Sequence, residues 1–396
     1  MKILAIHNFH RSGSASGDDQ VFKAETRLLE EYGNQVIRYT VCNDEFDNAG
    51  AAGKLAKALS MFWSPRHAKA VKALIEREKP DIVHIHTFFP LLSPSIFYAA
   101  KRSGVPVVST QHDTRFICPC ATSLRCGELC NRCGDGHYLR MARYGCYKES
   151  KLQSLLVAIN FKLHRMLRTY YRQIDRYICL NDNQIRMLKE IGFDPKRIVK
   201  KYNFVQDADV EAHEPLPEDL PPKYAVYYGR IGEEKGIRVL MKIAEATPEI
   251  PLVVMGGGPL EDEFKTWAKD RPNIYYLGFT PHALCLSIVR NAAFVLFPSI
   301  CYEGCSMVEI EAQSLSVPIV ATELGFSVEA IRDRYNGLKV PLGDIPGFAK
   351  AARTCWENPE LCREMGRNAR REYEAKYRPE DNYNQLMSVY RQLVRQ

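Results

Sequence analysis

Apolar residues along this chain recur in two alternating rhythms: short β-branched runs bounded by polar or turn residues, and longer stretches in which apolar positions return every three or four residues. In the first half the runs 3–6, 35–39, 82–85 and 105–109 predict strands, while 20–32 and 68–78 predict helices. A long helical stretch, 151–172, mixes Leu, Ile, Phe and Met with Lys and Arg. It fits either a packed connecting helix with a wet basic side or a helix lying on a membrane surface. Strands follow at 176–180 and 198–201, and then 206–222 is acidic and carries four prolines, the composition of an exposed linker. Beyond it the same pattern returns, with strands expected at 224–228, 252–255, 274–277, 294–297 and 318–320.

Strands that alternate with helices imply right-handed crossovers and a parallel sheet, with ligands beyond the carboxyl ends of the strands. Two such patterns joined by a linker predict an α/β chain of two Rossmann-like, doubly wound domains facing a central cleft. The expected boundaries are 1–205 for the first domain and 206–378 for the second, with a last helix, 379–396, packing back on the first. A length of 396 residues, 46% of them hydrophobic, agrees with two cores rather than one.

Charge changes the picture of the first half. The net charge is +7, but residues 1–201 hold 32 Lys/Arg against 19 Asp/Glu and the remainder 22 against 28. A basic first half is either a solvated face or meets something anionic: nucleic acid, a diphosphate-linked acceptor or an acidic membrane surface. The opening apolar run is four residues, too short for a signal peptide, and no stretch approaches the roughly 18–20 residues that span a bilayer. Thirteen cysteines without a secretory signal suit a reducing compartment, so the expected location is the cytoplasm, including the inner face of the cell membrane.

The most informative stretch, 297–312, reads F-P-S-I-C-Y-E-G-C-S-M-V-E-I-E-A. A strand ends, a loop follows, and a helix starts near Cys305 or Ser306, so that its free amides and positive dipole end suit a diphosphate. Glu303 precedes that helix and Glu311 lies eight positions on, slightly over two turns, so two carboxylates can flank a phosphate-sized space. Residues 228–236, Y-G-R-I-G-E-E-K-G, put Arg230 and Lys235 on a strand-to-helix loop, where cations can neutralise phosphates. Gly229 lets the backbone come close. Residues 255–260, M-G-G-G-P-L, form a Gly-rich turn that is a weak signal alone.

Together these residues resemble family 4 of the retaining glycosyltransferases, the large group with the two-Rossmann GT-B fold, over nearly the whole chain. The resemblance implies a donor-sugar role for Glu303, a ribose role for Glu311 and phosphate roles for Arg230 and Lys235. It also implies that Gly278 and Phe279, in the L-G-F step, seat the base, and that Gly17, Gly229, Ser306 and Met307 line the donor. The usual E-G-F-G is E-G-C-S here, so Ser306 stands where a Gly is common. In the first half 13–20 resembles the family's first Gly-rich loop, and His112 matches the histidine that lies under the sugar. His84 and His86 are implied to lie near the acceptor.

The implied activity is retaining transfer of a sugar from a nucleotide-sugar, with UDP the commonest base, to a glycan or lipid-linked acceptor in surface polysaccharide synthesis. Peripheral contact with an anionic membrane is expected, nucleic acid is not, and no cofactor is needed for catalysis. The rivals are another GT-B enzyme, such as a nucleotide-sugar epimerase or a sugar phosphorylase, and a zinc-containing nucleic-acid-binding protein. A last feature stands apart: six cysteines between Cys118 and Cys146, including the C-x-x-C pair Cys130 and Cys133. Cys118, Cys130, Cys133 and Cys146 are the expected ligands of a structural zinc, with free thiols and an iron–sulfur cluster as the alternatives.

Overall fold

A computed structural model describes residues 1–11, 16–47, 51–206 and 213–395. The chain divides into two compact units, one formed by 1–123, 130–202 and 382–396, the other by 124–129 and 203–381. The last helix, Pro379–Val394, thus joins the first unit from Asn382 onward. Residues 13–15 of the expected Gly-rich loop, and 207–212 of the expected linker, lie outside the described residues.

The first unit is built on a parallel sheet of β1 (Lys2–Phe9), β2 (Gln35–Cys42), β3 (Ile82–Ile85) and β4 (Val107–Gln111), continued after a small hairpin, β5 (Leu124–Arg125) and β6 (Glu128–Leu129), by β7 (Arg176–Cys179) and β8 (Ile198–Lys200). The order is β2-β1-β3-β4-β7-β8, with neighbours parallel throughout. β1 buries its six central residues in succession instead of alternately, as a strand covered on both faces must. The helix Gly17–Glu31 lays Val21, Phe22, Leu28 and Leu29 inward, and Leu386, Met387, Tyr390 and Leu393 of the last helix join Ile3, Leu29, Ile82 and Ile178 in one core. The stretch 151–172 is not one helix. Lys151–Met166 ends, Arg168 takes a left-handed turn (φ 54°), and Thr169–Arg172 begins anew. The break is held by the buried His164, whose Nδ1 lies 2.9 Å from Thr169 Oγ1 and whose Nε2 lies 3.0 Å from the Phe62 carbonyl.

The second unit repeats the scheme with β9 (Ala225–Tyr228), β10 (Leu252–Met255), β11 (Ile274–Gly278), β12 (Phe294–Phe297), β13 (Ile319–Thr322) and β14 (Gly337–Val340) in the order β11-β10-β9-β12-β13-β14. β14 was not legible in the sequence, because its four residues, G-L-K-V, are interrupted by Lys339. Tyr227, Leu240, Val254, Phe264, Phe294, Leu296 and Phe348 fill this core. In each sheet the strand order reverses once in the middle, between β1 and β3 and between β9 and β12. Loops diverge from the carboxyl ends of the strands at such a reversal, which is where doubly wound folds place ligands.

Candidate functional site

At the β9/β12 reversal the two loops are stitched together. The Ile300 amide donates to the Glu234 carbonyl at 3.1 Å, and Ser299 Oγ lies 3.1 Å from the same oxygen. The turn can press this closely because residue 236 is glycine: its φ is +71°, and a Cβ there would sit 1.9 Å from the Pro298 carbonyl oxygen. Lys235, beside it, reaches Glu303 with Nζ 2.8 and 2.9 Å from the two carboxylate oxygens, and Ser299 Oγ donates to Glu303 Oε1 at 2.7 Å. Burial alone would raise the Glu303 carboxyl, but the Lys235 ammonium outweighs it and holds the group below its ordinary range. Burial likewise opposes the charge on Lys235, and Glu303 lifts it above its ordinary value. Both are therefore charged over the whole neutral range.

The helix expected here runs Met307–Ser314 with Ser306 at its N-cap, and the Ser306 side chain makes no cap hydrogen bond. First-turn amides lack intrahelical acceptors, so they remain suited to an anion. Glu311, on the same helix, is buried with Oε1 3.1 Å from His282 Nε2. Arg230 takes a different position from Lys235: its side chain is 55% exposed and stands 3.4 Å from Glu234. Gly229 precedes it with φ +135°, a conformation that only glycine adopts readily. Gly278 ends β11 with φ +67°, and the Phe279 ring after it is 76% exposed. Met307 opens the helix, half-buried.

One acid here escaped the sequence reading. Glu309 is fully buried, its oxygens meet no well-aligned donor, and burial, opposed by the Ser327 hydroxyl and reinforced by Glu303, pushes its carboxyl up to about 8. It is protonated at neutral pH.

At the β1/β3 reversal of the first unit the side chains form a polar network inside the fold. His112, just past β4, places Nε2 3.0 Å from His86 Nδ1. Burial and the neighbouring His86 push the His112 imidazole down to about 3, so the ring is neutral. His86 Nε2 lies 3.2 Å and His84 Nδ1 3.3 Å from Glu25 Oε1, while Lys201 Nζ holds Glu25 Oε2 at 2.8 Å. His84 further meets Thr110 Oγ1 at 2.7 Å and the Tyr390 hydroxyl at 2.6 Å. Asp18, in the first turn of the helix that Gly17 opens, accepts from Thr87 Oγ1 at 3.1 Å and lies 3.3 Å from His10 Nε2. A pocket beside the network is lined by His86, Thr87, Gln111, His112, Asp113 and Arg115. The sequence pointed to His112, His86 and His84 but missed Glu25, Asp18 and Lys201. The available signal was a charge at position 25 on the otherwise apolar stripe of Val21, Phe22, Leu28 and Leu29.

The cysteines depart from expectation. Among the described residues, the groups whose ligand atoms lie within 4.8 Å of one another are Glu25 with His84 and His86, and His7 with Asp18 and Asp19. Neither contains a thiol, so Cys118, Cys130, Cys133 and Cys146 do not stand as a tetrahedral set. The sulfur of Cys118 is instead 3.1 Å from that of Cys120. The hydrogen bond between the two sulfurs pulls Cys120 down to about 6 and drives Cys118 up. The Cys133 thiol, raised to about 12, is held up by burial and by Cys120, Cys146 and Cys130 around it. Glu25 is already paired with Lys201, so its group reads as internal wiring rather than a cation site.

Residues 209–372 match the family Glycosyl transferases group 1, and residues 49–209 match Glycosyltransferase Family 4. An alpha-D-kanosaminyltransferase of Streptomyces kanamyceticus is 25% identical over 367 residues, covering 87% of this chain and 84% of its own length. A D-rhamnosyltransferase of Pseudomonas aeruginosa is 26% identical over 227 residues, covering 55% of this chain and only 58% of that protein. HepE of Anabaena, solved in complex with UDP-glucose, shares the fold with a TM-score of 0.68 at 17% identity, over 99% of this chain and 100% of that one. Two abutting family matches from 49 to 372, on two parallel α/β sheets, place the chain in family 4 of the glycosyltransferases, with the GT-B fold.

Proposed function

We propose that the protein transfers a sugar from a nucleotide-sugar, with UDP as the nucleotide, to a glycan or lipid-linked acceptor in surface polysaccharide synthesis, with retention at the anomeric carbon. The observation that carries this reading is the Lys235–Glu303 pair beside the Ser306 helix start. A cation, an acid and free helix amides lie within one strand reversal. The diphosphate sits on the helix amides and Lys235, and the exposed Arg230 side chain turns from Glu234 to meet it. Glu303 holds sugar hydroxyls, Glu311 the ribose diol, and the backbone at Gly278 with the exposed Phe279 ring the base. HepE's complex with UDP-glucose supports the choice of nucleotide.

In the reaction the bond from the anomeric carbon to the diphosphate oxygen breaks. The acceptor hydroxyl bonds to that carbon on the same face, and its proton passes to the leaving diphosphate. Charge grows on the diphosphate as the bond breaks, and Lys235, Arg230 and the helix start stabilise it most where it is largest. Those fixed cations take the part that a divalent ion plays elsewhere, so turnover is expected to survive chelators. The resemblance to the family gives His112 a part at the donor sugar, and its neutral imidazole favours the positive charge building on the anomeric carbon.

The acceptor side is read from the helix Lys151–Met166. Leu152, Leu155, Ile159, Leu163 and Met166, spaced three or four apart, are exposed along one face, Leu152 at 67% and Met166 at 72%, with Lys151, Lys162 and Arg165 on the same helix. An apolar stripe with a basic rim suits an anionic bilayer that carries the acceptor. The test of the function is a thermal-shift panel of nucleotide-sugars. A UDP-sugar is expected to raise the melting point, Lys235→Ala and Glu303→Ala to abolish that shift and turnover together, and unchanged turnover in either variant refutes the site.

A further inference from the structure

The reading of His112 as the group beside the donor sugar leaves open which of its nitrogens carries the proton, and the first unit's buried network answers this. The buried hydroxyl of Tyr390 lies 2.6 Å from His84 Nδ1. Among the described residues that nitrogen is the acceptor within its reach, so the hydroxyl donates, His84 Nδ1 carries a lone pair, and its Nε2–H donates to Thr110 Oγ1 at 2.7 Å. Burial keeps His84 neutral, far below its ordinary value, in agreement with that single N–H.

Glu25 Oε1 is then left with one source of a proton. It is buried, no hydrogen bond of good geometry reaches it, and the nitrogens that face it are those of His84 and His86, at 3.3 and 3.2 Å. A buried carboxylate oxygen without a donor is costly, and His84 Nδ1 has none to give, so His86 Nε2–H points at Glu25. Lys201 engages the other carboxylate oxygen at 2.8 Å. With its proton on Nε2, His86 offers the lone pair of Nδ1, and the partner of that lone pair, 3.0 Å away, is His112 Nε2.

We propose that Glu25 is a positioning residue that acts through His86 to fix His112 as the Nε2–H tautomer, so that His112 offers the lone pair of Nδ1. Lys201 sets the direction of the relay by engaging Glu25 Oε2, and His86 transmits it. The consequence for the reaction is one of sign: a nitrogen lone pair favours a positive anomeric carbon, whereas an N–H at the same place disfavours it.

The test is the imidazole ¹⁵N spectrum of histidine-labelled full-length protein at neutral pH, with the His112 signals assigned from their loss in His112→Gln. In the wild type Nε2 is expected to show the shift of a protonated ring nitrogen and Nδ1 that of an unprotonated one. The reverse pattern overturns the proposal. Glu25→Gln then reverses the relay. The Lys201 ammonium requires an acceptor, so the amide oxygen faces it and the amide N–H₂ faces His86. His86 Nε2 becomes the acceptor, Nδ1–H donates, and His112 moves its proton to Nδ1. Unchanged His112 shifts in a folded Glu25→Gln protein also overturn the proposal. In turnover that variant is expected to lose tenfold or more in kcat with the donor KM little changed, a split that general loosening of the fold does not give. The wild-type tautomer is independent of whether sugar is transferred. A correct tautomer without transfer therefore counts against the proposed function, and transfer with the opposite tautomer counts against the relay.

Discussion

Each unit of this chain holds one Lys–Glu pair at the reversal point of its sheet, with the same 2.8 Å separation, and the two differ in what surrounds them. Lys201 and Glu25 are each 2% exposed in their side chains, and their remaining polar atoms are spent on Asn382, His84 and His86. Lys235 is 30% exposed, beside a helix start whose N-cap side chain does not close it. The first pair belongs to the architecture, since each charge is tolerated inside only because the other is there. The second pair stands at the surface, where an anion can compete for the ammonium and sugar hydroxyls for the carboxylate. An ion pair at a fixed distance is thus a support or a binding site according to its access to solvent, and the distance alone does not distinguish them.

The comparison breaks most readily at its buried end. Lys201→Met leaves Glu25 charged and unpaired inside the sheet layer and is expected to cost about 3–5 kcal/mol of folding stability, measured by denaturant unfolding. A loss below about 1 kcal/mol would mean that the pair is not structural. Next in size is Glu309, a buried acid without a salt bridge among the described residues. Its folded value, about 8, lies above its ordinary 4.5. The stability tied to its proton is complete below about pH 4.5, is lost as the pH climbs towards 8, and changes no further above that. Glu309→Gln removes this loss, so the variant is expected to gain on the order of a few kcal/mol over the wild type at pH 9 and close to nothing at pH 4.5. A gain equal at both values would sink the assignment. Smaller again is Lys235→Met, expected to weaken UDP-sugar binding by about 1.5–3 kcal/mol while unfolding stability moves by only about 1 kcal/mol, because water and Ser299 still reach Glu303. The smallest effect belongs to the exposed stripe. The double variant Leu152→Ser, Met166→Ser is expected to weaken binding to anionic vesicles roughly tenfold, without altering binding to neutral ones or the melting point.

The same contrast explains what could be read in the sequence. Both sheets were legible because strands covered on two faces are nearly continuous apolar runs, while β14 escaped because Lys339 interrupts so short a run. The turn at Arg168 was hidden because its cause, the bonds from His164 to Thr169 and Phe62, lies partly far along the chain. In the second unit Lys235, Glu303 and Ser306 could be picked out because a surface site is written as local loop sequence, with a glycine at 236 to let two loops meet. In the first unit the histidines were visible and their organiser was not. Glu25 looks like one more helical glutamate until its place on the apolar stripe is noticed, and its partner Lys201 comes from 176 residues away. The cysteine spacing suggested four metal ligands, but spacing does not encode loop geometry, and the sulfur 3.1 Å from that of Cys118 is Cys120's, outside the expected four.

The central claim, that the second unit holds the nucleotide-sugar through Lys235 and the Ser306 helix start, is tested most directly by calorimetric titration of UDP-glucose into the wild type and Lys235→Met. Saturable binding by the wild type, weakened tenfold to a hundredfold in a variant that stays folded, is the predicted result. Equal affinity in the two proteins would contradict it.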